Sequence, residues 1–510
     1  MKLGSLLHSV SVKRIAGSED RDISSIHYYS AGVTPGSLFV AIQGHQSDGH
    51  DYIEDAVQRG AVAVVTERKW SGPPSVSVVE VENARFALAA LSSAFYGDPS
   101  RELVVVGITG TNGKTTTAYL VESILKAADC NVGVIGTINY RFAGRTFSNP
   151  VTTPESLDLM RILRQMADTG VTHVVVEVSS HALALDRVAS CKFDIGVFTN
   201  LSRDHLDYHG DMETYWQCKR KLCLDCLQSG SKRPVAAAVI NCDDLRGKKL
   251  ASEVPVRCLK IGFSDGCQVR ARNIRTGIEG TSGLVQCPEG DFEFNSYLIG
   301  RHNVYNILAA TGVANALGLS VSAIAQGIKN LKGVPGRLER VCNRAGFSVF
   351  VDYAHTPDAL EKVLTAVKEL TSGRLITIFG CGGDRDRDKR PMMGAVAGRL
   401  SDFCILTSDN PRSEPPGSIL ADIIPGIAGV RNRRFEPREL VKGFDAPGYA
   451  VEEDRRRAIA LGIRAARPGD TVIIAGKGHE THQIIGSQTI PFDDRVEARE
   501  CVSRRLSENT

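Results

Sequence analysis

One segment, Val104-Val105-Val106-Gly107-Ile108-Thr109-Gly110-Thr111-Asn112-Gly113-Lys114-Thr115-Thr116, limits what this chain can fold into more than any other. A β-branched run enters a glycine-rich turn, then a lysine and hydroxyls. A helical pattern follows, Thr117-Ala118-Tyr119-Leu120-Val121-Glu122-Ser123-Ile124-Leu125. Strand, loop and helix N-terminus in that order predict a corner of an α/β sheet where free amides and the helix dipole bind anions. Glycine lets the backbone approach phosphate, Lys114 can reach the terminal phosphates, and Thr115 can place its hydroxyl on Mg2+. The strict phosphate-loop pattern wants glycine five residues before Gly113, where Ile108 stands. The core from Gly110 to Thr116 still keeps the order that the mechanism needs, and it predicts a nucleoside-triphosphate site.

At 510 residues the chain is too long for one core, so two to four domains are expected. Its 42% hydrophobic and 23% charged residues are those of a globular protein without long disordered tracts. A net charge of +3 neither demands nor excludes nucleic acid, but no basic tail or aromatic-basic array appears, and no nucleic-acid partner is expected. No run is long enough to span a bilayer, and the first residues, Met1-Lys2-Leu3-Gly4-Ser5, lack the apolar core of a signal peptide. The 13 scattered cysteines read as free thiols of a reducing cytosol. Cys223 and Cys226 form a CxxC, but no second pair stands at zinc spacing.

Alternating strand and helix patterns predict an α/β protein with largely parallel sheets. Residues 1–98 form a first unit, with strands at 37–42 and 61–65 and a short helix at 55–60. A second unit runs over 99–334, with strands at 172–178, 195–199 and 235–240. A third, 335–510, carries strands at 349–352, 375–379, 403–407 and 471–475, with Pro415-Pro416-Gly417 in a loop. In such sheets function gathers beyond the carboxyl ends of strands. Glu177 ends one strand, and buried there it needs a partner, for which a Mg2+ shared with phosphate is suited. His205 follows the next strand and is a second candidate ligand. Lys219, in a helical pattern, reads by itself as a solvated lysine. Gly300-Arg301-His302-Asn303-Val304-Tyr305-Asn306-Ile307-Leu308-Ala309-Ala310 opens a helix whose amides suit adenine or ribose and equally suit capping. Strands of the third unit end in Asp352-Tyr353-Ala354-His355, Gly380-Cys381-Gly382-Gly383-Asp384-Arg385, Asp409-Asn410-Pro411-Arg412 and Gly476-Lys477-Gly478-His479-Glu480. Their mixture of acids and arginines predicts one shared cleft for a zwitterion.

Together with Glu177-Val178-Ser179-Ser180-His181 and Arg203-Asp204-His205-Leu206-Asp207-Tyr208-His209, these motifs resemble the Mur ligase family over essentially the whole chain. The resemblance implies three domains: an N-terminal α/β domain for a UDP-sugar, a central phosphate-loop ATPase-like domain with a parallel sheet, and a C-terminal Rossmann-like domain for an amino acid. It implies ATP contacts at Gly110, Thr111, Asn112, Gly113, Lys114, Thr115, Thr116, Asn303 and Arg337. It implies two Mg2+ ions, held by Thr115, Glu177, His205 and a CO2-derived carbamate on Lys219, with Lys114, Lys219 and His205 as the catalytic set. Ser30, His45, Gln46, Ser47, Thr152, Thr153, Ser179 and Arg187 match positions that hold the UDP-sugar dipeptide. Arg385, Asp409, Asn410, Pro411, Arg412, Gly476 and Glu480 match positions around incoming diaminopimelate. The loop from Asp409 to Arg412 is similar to the one that goes with diaminopimelate rather than lysine. The family usually shows Asp-Ser-Arg where this chain has Tyr29-Ser30-Ala31.

The implied activity is that of a cytoplasmic, monomeric bacterial enzyme without membrane insertion. It forms an amide at the D-glutamate γ-carboxylate of the UDP-sugar dipeptide through an acyl phosphate. Three other readings stay open: a lysine-adding ligase, a ligase like folylpolyglutamate synthase, and a nucleotide-switched binding module with no amide chemistry.

Overall fold

The computed structural model describes residues 1–44, 47–227, 236–341, 345–442 and 444–508. Its strands form three main sheets in chain order. The first is five-stranded, ordered Val12–Ala16, Ser77–Val81, Ala61–Thr66, Ser37–Val40, Ser25–His27. Its three pairings beyond the first strand are parallel, and Leu38, Val40, Ala63, Val65 and Val79 pack on the helix Ala84–Phe95. The short helix of this unit runs Ile53–Gln58, two residues earlier than the pattern predicts.

The second sheet has eleven strands and holds the phosphate loop at its centre. Val104–Thr109 lies between Ile195–Phe198 and His173–Glu177, and Val132–Ile135 follows on the far side of the latter. These pairings are parallel. The chain leaves Val104–Thr109, fills one side, then crosses to the other, so strand order reverses beside this strand. Its carboxyl end is therefore the crevice where an open sheet binds ligand. Continuous β-branched runs suit strands covered on both faces, and Val104 through Thr109 are all buried. On one face lie the helices Lys114–Ala127 and Arg301–Ala316, on the other Ser156–Asp168 and the segment 212–227. Antiparallel strands finish the sheet at both margins, the hairpin Tyr140–Phe142 with Arg145–Phe147 and the meander 269–296.

The third sheet is seven-stranded, with parallel strands Ser348–Asp352, Thr471–Ala475, Leu375–Phe379, Phe403–Leu406 and Gly448–Val451 side by side. Their carboxyl ends share one edge, from which the four predicted loops emerge. Pro416 starts the helix Pro416–Ala428 rather than lying in a loop, which accords with proline's fixed φ at a first helical turn. A small antiparallel hairpin, His482–Ile485 with Gln488–Pro491, lies against these loops.

Candidate active site

The phosphate loop has its shape because two glycines occupy positions where a side chain would not fit. Gly113 has φ +89 and Gly110 φ +144, and a Cβ at either would run into the side chains of Asn306 and Thr199 respectively. Lys114 opens the helix and its Nζ donates to the carbonyls of Gly110 and Thr111 at 2.8 and 2.9 Å. Gly110 also accepts from Lys219 Nζ at 2.8 Å. Two lysines thus converge on one loop carbonyl. Lys219 is 1% exposed, so the solvated lysine expected from its local pattern is not found. The helix Met212–Lys221 turns it inward beside the Tyr215 ring, 4.5 Å away. Burial first, and then the charge of Lys114, push its pKa well down, so its amine is held toward the neutral form.

Glu177 is 2% exposed. Its Oε2 accepts from Thr115 Oγ1 at 2.8 Å and Thr137 Oγ1 at 2.9 Å, and its Oε1 from the Thr137 amide at 3.1 Å. The buried carboxylate is thus satisfied by neutral donors. His205 adopts a left-handed conformation, φ 55, with Nε2 3.4 Å from Asp204 Oδ2. Burial lowers its pKa to about 3, leaving a neutral imidazole. Among the described residues no three His, Cys, Asp or Glu side chains are grouped as a metal site. Thr115, Glu177 and His205 are oxygen and neutral-nitrogen donors that fit Mg2+ once phosphate or another anion adds oxygens, as this ion prefers.

Thr115, His205 and Lys219 line a cavity of about 720 Å³ between the central and C-terminal sheets. Thr111, Asn112, Gly113, Lys114, Thr115 and Thr116 line one wall, with Thr152, Ser179, His205 and Lys219 beyond them. Asn303 and Arg337 line another, and Asp352, Tyr353 and His355 a third. Asn303 accepts from Asn306 at 2.9 Å, and Asn306 in turn accepts from Thr117 at 3.3 Å. This amide ladder couples the helix start at Arg301 to the phosphate-loop helix. Asn306, one of the two amides of that segment, is thus engaged by Asn303 and Thr117. Arg337 lies over the Tyr353 ring, 4.4 Å from its centroid, and donates to Thr115 Oγ1 at 3.3 Å.

Toward the N-terminal domain, Thr153 Oγ1 donates to the Glu177 carbonyl at 2.8 Å and accepts from the Ser179 amide at 3.0 Å. Arg187 donates to the Thr153 carbonyl at 3.1 Å and sits 3.3 Å from Glu155. Thr152, Thr153, Ser179 and Arg187 therefore form one group. Ser30 and Ser47 stand apart from it in the first domain, Ser30 buried and Ser47 exposed. His45 and Gln46 lie outside the described residues.

The C-terminal loops form two groups that meet where the His479 ring lies 5.0 Å from that of Tyr353. Asp352 to His355 face the large cavity. Asp409, Asn410, Arg412 and Glu480 gather around Lys477, which is fully buried. Lys477 Nζ donates to Asn410 Oδ1 at 3.0 Å and to Glu480 Oε2 at 2.8 Å, and lies 3.9 Å from Asp409 Oδ1. Asn410 also donates to Glu480 Oε2, at 2.8 Å. Asp409 Oδ1 is buried without a hydrogen bond. Pro411 lies between Asn410 and Arg412, and Arg412 donates to the Gly383 carbonyl at 2.8 Å. Burial first, and then the like charge of Arg385, lower the pKa of Arg412, against the opposite pull of Asp409, Glu480 and Asp384. Gly476, with φ +116, passes Asp409 so closely that a Cβ there would stand 3.4 Å from Oδ2. Cys223 and Cys226 are buried in the core, where burial pushes the Cys226 thiol up to about 12, so neither is a reactive thiol.

A parallel sheet with a phosphate loop at its switch point, facing a second sheet that contributes an arginine and a carboxylate cluster, defines a nucleotide-using enzyme of several domains. The chain belongs to the Mur ligase family. Residues 108–314 match the Mur ligase middle domain, 336–478 the Mur ligase glutamate ligase domain, and 22–96 the Mur ligase family catalytic domain. It is 50% identical over 497 residues, 98% of this chain and 97% of the other, to UDP-N-acetylmuramoyl-L-alanyl-D-glutamate–2,6-diaminopimelate ligase of Geobacter metallireducens. To the enzyme of that name from Geobacter sulfurreducens it is 47% identical, over 98% of each chain. A solved structure of a ligase of the same name superposes with a TM-score of 0.69 at 31% identity, covering 99% of each chain.

Proposed function

We propose that this chain is an ATP-dependent ligase that adds meso-2,6-diaminopimelate to the D-glutamate γ-carboxylate of UDP-N-acetylmuramoyl-L-alanyl-D-glutamate, a step in making peptidoglycan precursor. The observation that carries the reading is Arg412. It is partly buried, with the carboxylates of Asp409, Glu480 and Asp384 acting on its charge, and Asp409 Oδ1 is buried without a hydrogen bond, 3.9 Å from Lys477 Nζ. Diaminopimelate has a second carboxylate and ammonium at its far end, and these complement that set. Lysine would bring only a cation to Arg412. Losing such a pairing costs roughly 2–5 kcal/mol.

The γ-carboxylate attacks the γ-phosphorus of ATP, giving an acyl phosphate and ADP. The amine of diaminopimelate then attacks the acyl carbon, the amide forms, and phosphate leaves. Gly110, Thr111, Asn112, Gly113, Thr115 and Thr116 cradle the phosphates while Lys114 and Arg337 offset their charge, with Asn303 at the nucleoside end. Thr152, Thr153, Ser179 and Arg187 hold the acceptor near Glu177, and Ser30, His45, Gln46 and Ser47 hold the uridine end. Arg385, Asp409, Asn410, Pro411, Arg412, Gly476 and Glu480 hold the amino acid. Thr115, Glu177, His205 and a carbamate on Lys219 would hold two Mg2+ ions, which supply charge neutralisation when bound. Supporting the carbamate, the buried Lys219 amine is poised in the neutral form that adds to CO2. The domain limits are placed at 98/99 and 334/335. The enzyme works as a monomer in the bacterial cytoplasm; no described helix is long and apolar enough to cross a membrane.

Phosphate release with the UDP-sugar dipeptide, ATP and Mg2+ tests the reading, with diaminopimelate, lysine and glutamate compared side by side. Turnover strongly favouring diaminopimelate is expected. Preference for lysine or glutamate, or turnover independent of any amino acid, would overturn it.

A further inference from the structure

We propose that Asp358 is a positioning residue for this reaction, the latch through which the C-terminal domain sets the phosphate loop. The inference deepens the ligase reading and rests on it. Asp358 stands in the first turn of the helix Pro357–Lys368, which Thr356 caps. Its Oδ2 accepts from three donors, each at 2.8 Å: Asn112 Nδ2, Ser202 Oγ and Lys362 Nζ. The first two belong to the central domain. Lys362 lies one turn along the same helix. With the helix N-terminus, it offsets the charge of a carboxylate placed beside an anion-binding loop.

The two central-domain donors are themselves joined. Asn112 Nδ2 reaches Ser202 Oγ at 3.3 Å. The Ser202 amide donates to Thr111 Oγ1 at 3.0 Å, and that hydroxyl donates to the Ser202 carbonyl at 3.2 Å. The Asn112 backbone is held by Asn200, whose Oδ1 accepts from its amide at 3.0 Å. One carboxylate oxygen of the C-terminal domain thus fixes both the phosphate loop and the loop after Ile195–Phe198. That second loop continues through Arg203, 3.5 Å from Asp386 and 3.4 Å from Asp388, to Asp204 and the cavity-facing His205. The Arg203–Asp388 pair is largely exposed and worth little. The bonds to Asp358 are charge-assisted and partly buried, and so carry the coupling. Docking of the C-terminal domain, which brings the amine, is thereby tied to the geometry of the loops that hold phosphate and His205.

The test uses full-length Asp358→Ala, Ser202→Ala and the double variant, with two readouts. One is steady-state phosphate release with all substrates; the other is the radius of gyration by small-angle X-ray scattering with Mg·ATP. Each single variant is expected to lose about ten-fold in kcat while KM for ATP moves less than about two-fold. The double variant should lose no more than the worse single, the mark of one shared interaction. Asp358→Ala should also have a larger radius of gyration than wild type. Losses that multiply in the double variant, or wild-type kcat with an unchanged radius of gyration in Asp358→Ala, would overturn the latch. Ser202→Ala probes the same bond from the other domain should Asp358→Ala unfold. A wild type without amine-dependent turnover would instead remove the ligase reading, and the scattering comparison would still decide the latch.

Discussion

Lys114 and Lys219 meet at a single carbonyl, that of Gly110, and this convergence sets the charge state of the site. Burial, and then the charge of Lys114, push the pKa of Lys219 well down; burial lowers that of Lys114 as well, against the opposite pull of Glu177 and Asp204. Replacing Lys114 by alanine is expected to lower kcat by at least about 10²-fold without loss of fold, since the side chain touches only loop carbonyls. Near-normal kcat with an unchanged melting temperature would contradict the role. Arg412→Ala is expected to cut the preference for diaminopimelate over lysine by about 30-fold or more, read as the ratio of the two kcat/KM values. An unchanged ratio would remove Arg412 from the amine site. Four histidines give the residue scale a stability signature. Burial lowers His302 and His209 to about 4 and His205 and His479 to about 3. Unfolded histidines titrate near 6.5. Between about pH 4 and 6.5 the unfolded chain therefore binds more protons, so stability rises with pH in that window and is lost as pH falls through it. Asp352, raised by burial, opposes this by at most one proton. Calorimetry at pH 5 in buffers of differing ionisation enthalpy should register net proton uptake on unfolding; net release would contradict it.

At the scale of elements, the loop from Asp409 to Arg412 depends on the hairpin beside it. The Arg412 amide donates to the Ile484 carbonyl at 3.1 Å, the Gly486 amide to the Arg412 carbonyl at 2.7 Å, and Gln483 Nε2 to the Asp409 carbonyl at 2.7 Å. Arg412 itself has φ 54, a conformation that costs energy and needs such support. Gln483→Ala is expected to raise KM for the amino acid about five-fold while KM for ATP stays put; equal effects on both would make the hairpin a general scaffold. This hairpin was not legible in the sequence. Gln488–Pro491 is exposed along its length, so it lacks the alternation that marks a strand. In the meander 269–296, Val269–Gly277 and Gly280–Gln286 carry arginines and glycines and lack a regular alternation, and Phe292–Ser296 alternates but is short. The doubly covered strands were legible, because continuous Val, Ile and Leu runs leave few alternatives: 172–178 was expected and His173–Glu177 found, 471–475 expected and found. Lys219 and Lys477 show the limit from the other direction. A lysine's local pattern says nothing of burial, which is set by partners 109 residues away for Lys219 and 67 for Lys477. Asp358 is similar: its value lies in contacts 246 and 156 residues distant.

For the whole molecule, the phosphate loop stands at the switch point of the central sheet and lines the large cavity, and the cluster around Lys477 stands at the carboxyl edge of the C-terminal sheet. The chemistry between them is the transfer of a phosphoryl group to a carboxylate and its displacement by an amine. The oxygen that bridges acyl carbon and phosphorus leaves with phosphate. If the substrate γ-carboxylate is labelled with 18O in both positions and the reaction is run with ATP, Mg2+ and diaminopimelate, one labelled oxygen should appear in each released phosphate and one should remain in the amide. Amide formation with unlabelled phosphate would show that the acid is not activated by the nucleotide, and would contradict the central claim.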